Sequence, residues 1–319
     1  MNQAPFAHIG IRIPQMMQAV LLALLPAWLF AIWQFGIPAL LLSVSCVVAA
    51  LLCEVICLKL NPKGQGSIMD GSALITALIL AMSLPPHAPL WVGAIGSALA
   101  VAVGKHCYGG LGQNLFNPAM FARVVLLIAF PVEMTHWPVP DPNYWTNLIA
   151  DSMTTATPLA TEGVVHTTSL LSSFMGTIPG SLGETSGIAL IIGGLYLLWR
   201  RVITYPLVIS SLLGCFVPAA IAWIFGMQGQ SEPWLELTNG AILFAAFFIV
   251  TDPVTAPSSP KGQWMYGILF GVLVWLIRHF ANYPEGVAFA ILLCNAVNPL
   301  IEHYTRPVIY GHATSRRRS

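Results

Sequence analysis

From Gln15 to Cys53 the chain carries no charged residue, a run too long for one buried helix and too apolar to face water. Only Trp33-Gln34-Phe35-Gly36-Ile37-Pro38 interrupts it, so the run predicts two membrane-spanning helices joined by a tight turn. Its length and flanks exclude a cleaved signal peptide. With 56% hydrophobic and 8% charged residues among 319, the chain lies far outside the soluble globular range. Apolar runs at residues 71–84, 89–104, 118–130, 185–199, 203–225, 239–251, 263–277 and 286–301 bring the expected total to about ten spans. Lipid offers open backbone groups no partner, so the expected fold is an all-α polytopic membrane helix bundle.

The basic residues orient these spans. With the N-terminus in the cytoplasm, Arg12, Lys59, Lys63, Lys105, Arg200, Arg201, Lys261, Arg306 and Arg316-Arg317-Arg318 all fall inside. Arg123 lies near the inner end of its helix, and only Arg278 falls outside. Between Arg123 and Arg200 there is no Lys or Arg, while Glu133, Asp141, Asp151, Glu162 and Glu184 are present, which puts residues 132–183 on the far side. Residues 226–238 repeat the pattern, with Glu232 and Glu236 and no base.

Sliding the second half of the chain against the first exposes a weak internal repeat. Asp70-Gly71-Ser72-Ala73-Leu74-Ile75 aligns with Asn239-Gly240-Ala241-Ile242-Leu243-Phe244, and Trp91-Val92-Gly93-Ala94-Ile95-Gly96 with Met265-Tyr266-Gly267-Ile268-Leu269-Phe270. At nearly the same offset Lys105 falls beside His279. Five spans per half is an odd number, so the copies must insert in opposite directions, a five-plus-five inverted repeat. The expected divisions are a first five-helix membrane repeat at 1–132, an extracytoplasmic loop at 133–183, a second repeat at 184–305, and a basic cytoplasmic tail at 306–319.

The third and eighth spans, at 71–84 and 239–251, are both short and flanked by breakers. Fourteen helical residues rise only about 21 Å, against a hydrocarbon core of about 30 Å. Short, interrupted helices in matching places point to a ligand or ion site near the midplane, or simply to helices buried in protein. Asp252, beside a proline at the end of one of them, is the ionisable residue best placed to meet a cation. Glu54, Asp70, Arg123, Asp252, Arg278 and Glu302 all lie near predicted helix ends, where interfacial anchoring is the default. The connector from Gly104 to Pro118 is rich in glycine and amides. It reads as a tight interhelical link, or as a loop whose backbone amides, Asn114 and Asn117 hold a polar ligand. The six cysteines fall in spans or inside, so structural disulfides are not expected. Cys53 and Cys57 share a helix face, where packing is the better reading than metal ligation.

Asp151-Ser152-Met153-Thr154-Thr155-Ala156-Thr157 places a run of hydroxyls behind one acid in the long polar loop. It reads as a plain hydroxyl-rich loop or as a covalent attachment site. In the second case Thr157 is the acceptor, forming a phosphoester while Ala156 leaves room for a transferring partner.

Four stretches carry a resemblance: YGGLGQNLFNPAM within 104–120, DSMTTATPLA at 151–160, TDPVTAPSSPKG at 251–262, and YPEGVAFAILLCNAVNPLIEHYTRPVIYG at 283–311. With them the chain resembles the membrane flavoprotein family shared by the D subunit of the Rnf ion-translocating oxidoreductase (electron transport) complex and the B subunit of the sodium-pumping NADH:quinone reductase. The lack of a long N-terminal extension favours the Rnf side. In that family a flavin transferase joins the phosphate of FMN to the final threonine of an acid-x-x-Ser/Thr-x-Ala-Thr pattern. Asp151, Thr154, Ala156 and Thr157 match it, so the resemblance implies covalent FMN on Thr157. Many relatives have Ser-Gly where this chain has Thr154-Thr155, a bulkier departure that leaves the acceptor chemistry intact. The family also implies a second, non-covalent flavin, riboflavin, with Asn114 and Asn117 as candidate ligands. The expected role is one subunit, incomplete as an enzyme alone, of a ferredoxin- and NAD-linked translocase in the bacterial inner membrane. Its partners would be further membrane and peripheral subunits, the flavin transferase, and sodium ion or proton, with no nucleic acid. Both termini would be cytoplasmic and the flavin loop periplasmic. Two other readings of the residues are an inverted-repeat transporter or channel without a redox role, and a structural scaffold whose loop binds a partner.

Overall fold

The computed structural model describes residues 12–61, 68–138, 154–155, 179–184, 186–227, 232–238, 241–281 and 286–306. Helix α1 runs Ile13–Leu60 but is not one rod: Gly36 sits at φ 65°, ψ −148°, a backbone state that a side chain would strain. Trp28 Nε1 donates to Ser43 Oγ at 3.1 Å across 15 residues. A straight helix would hold those residues roughly 22 Å apart, so the chain reverses at Gly36 and α1 is a hairpin of two arms. The turn expected between Trp33 and Pro38 is therefore where the chain folds back.

Helix α2 (Ser72–Ser83) has only 12 residues, which rise about 18 Å. A 3-10 turn (Ile68–Asp70) and Gly71 at φ 80° precede it, and extended Leu84 leads into Pro85 and Pro86 behind it. Asp70 Oδ1 accepts from the Ser72 backbone N–H at 2.8 Å and from Ser72 Oγ at 2.5 Å, satisfying the helix start. Then come α3 (Leu90–Ala102), α4 (Pro118–Ala129) and the short α5 (Pro131–Thr135). After α5, Trp137–Pro138 pairs antiparallel with Thr154–Thr155, the two-residue strands β1 and β2.

In the second half α6 (Gly187–Trp199), α7 (Tyr205–Ile224) and α8 (Pro233–Thr238) precede another interrupted element. There α9 (Ile242–Phe244) passes directly into a π-helical turn (Ala245–Ile249), closed by Val250 N–H donating to Ala245 O at 2.8 Å. The last described helices are α10 (Pro260–Phe280) and α11 (Val287–Thr305). Both spans predicted to be short are thus short helices bounded by breakers. By length and composition, four helical stretches among the described residues are apolar and long enough to cross a membrane: Ile13–Leu60, Leu90–Tyr108, Tyr205–Ile224 and Val287–Thr305. Ser72–Ser83, Pro118–Ala129 and Gly187–Trp199 are shorter apolar helices.

The arms of α1 pack on α2, α3 and α6, while α10 packs on α7 and α11. Helix α4 touches α2 and α3 on one side and α11 on the other. Residues at the end of the expected extracytoplasmic loop enter the bundle: Leu182 N–H donates to Leu84 O at 3.3 Å, and Ser181 is fully buried. Where α7 meets α10, small residues let backbones touch, Gly267 lying against Ser210 and Gly271 against Ser211. A β-carbon on Gly271 would collide with Ser211 O and Cys215 N, atoms of backbone that cannot swing aside. Gly271→Ala is expected to destabilise the protein by roughly 1–3 kcal/mol. Thermal unfolding in detergent checks this; an unchanged midpoint would show that α7 and α10 do not pack so closely.

Candidate functional site

The two short helices line one cavity. Ser72, Ile75, Thr76 and Ile79 of α2 form one wall, and Phe247 and Phe248 of the π turn with Thr251, Asp252, Pro253 and Val254 form the other. About 830 Å³ of atom-free space, open solvent included, lies between the lining residues. Its lining is divided. Met16, Met17, Val20, Leu197 and the two phenylalanines are apolar, whereas Lys105, Asn114, Asn117 and Asp252 bring polar groups from the connectors.

The connector after α3 shapes the polar part. Gly104 lies against Ala100 O and Pro118 Cα, so close that a β-carbon would stand 2.6 and 2.9 Å from them. The two ends of the connector therefore meet, and the residues between form a closed loop with a 3-10 turn at His106–Tyr108. Asn117 caps α4: its Oδ1 accepts from Ala119 N–H at 3.1 Å and Met120 N–H at 3.2 Å. Its Nδ2 donates to Asp252 Oδ2 at 3.4 Å, a long bond that joins the first-half connector to the second-half one. Asp252 also accepts from Val254 N–H and Thr255 Oγ1, each at 3.2 Å. Asn114 Nδ2 donates to Phe116 O at 3.1 Å, and among the described residues no donor reaches its side-chain oxygen.

Lys105 is 2% exposed and Glu54 is 0% exposed, so Glu54, expected as an anchor that water or snorkelling reaches, is instead enclosed by protein. Lys105 Nζ donates to Glu54 Oε1 and to Ser72 Oγ, both at 2.7 Å, and His106 Nε2 lies 2.8 Å from Glu54 Oε2. Asp70 continues the chain through Ser72. Arg123, expected near the inner end of its helix, is a buried residue in the middle of α4. A second buried cluster repeats the plan with arginine in place of lysine: Arg278 Nη1 donates to Glu236 O at 2.8 Å and Oε2 at 3.2 Å, with His279 Nε2 3.7 Å from Glu236 Oε1.

Asn114, Asn117 and Asp252, predicted separately for a flavin and for an ion, are thus brought together on one cavity. Thr157, Asp151 and Ala156 lie outside the described residues, and of Thr154 only the backbone pairing with Pro138 is defined. Sequence reading missed Glu54 and Ser72 because their partner Lys105 is distant along the chain, 51 and 33 residues away. One signal was available: a base followed directly by histidine occurs as Lys105-His106 and again as Arg278-His279, at nearly the offset of the internal repeat.

The model of the NQR2, RnfD, RnfE family matches residues 1–311. The chain belongs to that family. The D subunit of an ion-translocating oxidoreductase complex from Yersinia pseudotuberculosis serotype I (strain IP32953) is 39% identical, over 98% of this chain and 99% of its own. The protein of the same name from Halorhodospira halophila (strain DSM 244 / SL1) is 40% identical, over 96% of this chain and 94% of its own. A third, from Salmonella paratyphi A (strain ATCC 9150 / SARB42), is 39% identical over 97% of each. In this NQR2, RnfD, RnfE family member Asn117 does two jobs that substitution separates. Asn117→Ala removes the cap of α4 and the link to Asp252 and is expected to cost about 1 kcal/mol or more of stability. Asn117→Ser, too short to reach Asp252 but still a cap, should recover most of it in thermal unfolding; equal losses would mean that the cap contributes little.

Proposed function

We propose that the chain is the flavin-carrying membrane subunit of an ion-translocating, ferredoxin- and NAD-linked oxidoreductase complex, relaying electrons and incomplete as an enzyme alone. The observation that carries this reading is the shared cavity between two shortened helices, with an apolar, aromatic wall and a polar group of Lys105, Asn114, Asn117 and Asp252. It occurs in a chain whose relatives are named as the D subunit of an ion-translocating oxidoreductase complex. This lining fits a flavin. Its fused ring is flat and apolar at one end, and its pyrimidine end carries two carbonyls that need donors and one N–H that needs an acceptor. Lys105 and Asn117 supply donors, and the free side-chain oxygen of Asn114 supplies the acceptor. Bound there, riboflavin would supply electron transfer; the protein supplies position and charge.

A second flavin, FMN, would be held by a phosphoester to Thr157, within the Asp151, Thr154, Ala156, Thr157 pattern. A covalent tether fixes its local concentration at the membrane by linker length rather than affinity. The arrangement that accompanies this reading is ten spans as a five-plus-five inverted repeat in the bacterial inner membrane, both termini cytoplasmic and the flavin loop periplasmic. The hairpin at Gly36, and the paired interrupted helices at 72–83 and 242–249, support it. A flavin transferase and the other subunits are its partners, with sodium ion or proton as the moved ion.

Fluorescence of the protein band in a denaturing gel tests the covalent flavin. It should persist in the wild type and vanish in Thr157→Ala; a dark wild-type band, or a bright mutant one, would sink the attachment and leave the transporter without redox role as the better reading. Asp252→Asn should lower ion-coupled activity several-fold while band fluorescence stays as in the wild type, and unchanged coupling would remove Asp252 from the ion path.

A further inference from the structure

The protein builds one constellation twice: a buried glutamate held between a base and the histidine that follows it. The two copies differ in a way that separates a structural cluster from a working one. In the Glu236 copy the base is Arg278, whose Nη1 is engaged by both the backbone carbonyl and the carboxylate of Glu236, and no member lines the cavity. In the Glu54 copy the base is Lys105, and Lys105 forms part of the cavity wall, while Glu54 and His106 do not. Two of the three ammonium donors are used, on Glu54 and Ser72, and the third has no partner among the described residues. The pair therefore presents its positive end to the cavity, with the carboxylate buried behind. An ammonium suits this post, because it is a compact charge that a ligand atom can share, whereas a guanidinium fork is best used up by fixed partners.

From this we infer that Lys105 is the cofactor-facing cation of the cavity: its ammonium pairs with the electron-rich carbonyl and ring nitrogen edge of the bound flavin and favours the reduced ring. The inference rests on the flavin reading of the cavity. Reduction of an isoalloxazine concentrates negative charge on that edge, and a fixed cation in a dry site stabilises developing charge more strongly than water-exposed charge does. Glu54, behind it, holds the ammonium in place and limits the effect. His106 on the far oxygen of Glu54 keeps that carboxylate oriented.

The test uses the purified full-length chain in detergent. Acid-released flavin per chain is measured and identified by chromatography, and the midpoint potential of the non-covalent flavin is titrated. Removing Lys105 alone would strand a buried carboxylate and threaten folding, so the pair is neutralised together as Lys105→Met with Glu54→Gln. The expected result is flavin binding weakened by roughly 10- to 100-fold, the effect of losing one hydrogen bond to a charged group. Arg278→Lys should leave binding as in the wild type. In Glu54→Gln alone the ammonium stays without its counter-charge, and the midpoint potential should rise. Wild-type affinity in the double variant, or an unmoved potential in Glu54→Gln, overturns the inference and leaves the cavity assignment standing. A wild-type chain that releases no flavin removes the cavity assignment itself, and this inference with it.

Discussion

A helix that stops inside a bilayer leaves backbone groups that neither water nor lipid will satisfy, so whatever it stops against must be polar protein or a polar ligand. Two helices here stop short, α2 at 12 residues and the α9 and π turn at eight, counted from Ile242 to Ile249. Most of the polar chemistry around the cavity follows from that constraint. At the start of α2 the open donors are met by Asp70, and Ser72 in turn receives Lys105. Beyond the π turn Thr251 Oγ1 returns to Phe247 O at 2.7 Å, and Asp252 gathers donors from Val254, Thr255 and Asn117. The cavity is the space between these two sets of polar ends.

Buried charge is handled by the same rule. Isolated charges in such a place cost several kcal/mol each after relaxation, and partnering them costs less than leaving them alone. Glu54 with Lys105 and Glu236 with Arg278 are therefore closed pairs at the ends of α3 and α10. These pairs fix where the chain emerges from each helix, and the first also decides that an ammonium rather than a carboxylate faces the cavity. Small residues then let the helices close around the charged groups, as Gly104 does against Pro118 and Gly271 against Ser211.

Much of this was legible in the sequence because apolar runs, prolines and glycines act locally. The reversal at Gly36, the short α2 and the interrupted α9 and π turn all follow from residues within a few positions of where they act. What the sequence hid was distance. Glu54 reads as an anchor because it ends a charge-free run, and only the fold brings it to Lys105, 51 residues on. Arg123 reads as an end-of-helix charge, and only the boundaries of α4 put it mid-helix among buried neighbours. The convergence of Asn117 and Asp252, 135 residues apart, was equally invisible, although each stands out in the sequence for a separate reason.

That convergence bears on the reading proposed for the cavity, in which electron transfer and ion movement are joined in one polypeptide. Asn117 is the cap of α4, part of the cavity lining, and a donor to Asp252, so one shared side chain links the cavity to the carboxylate. Under the flavin reading proposed above, a ring held beside Lys105 would share one donor, Asn117, with Asp252. Were Asn117 to turn toward such a ring, Asp252 would keep only Val254 N–H and Thr255 Oγ1, and in the proposed reading a sodium ion or proton would make up the loss. Coupling of this kind requires no long pathway through the protein. It requires a donor set too small to serve both acceptors at once, and the 3.4 Å bond from Asn117 to Asp252 is the weakest member of that set and the first available to move.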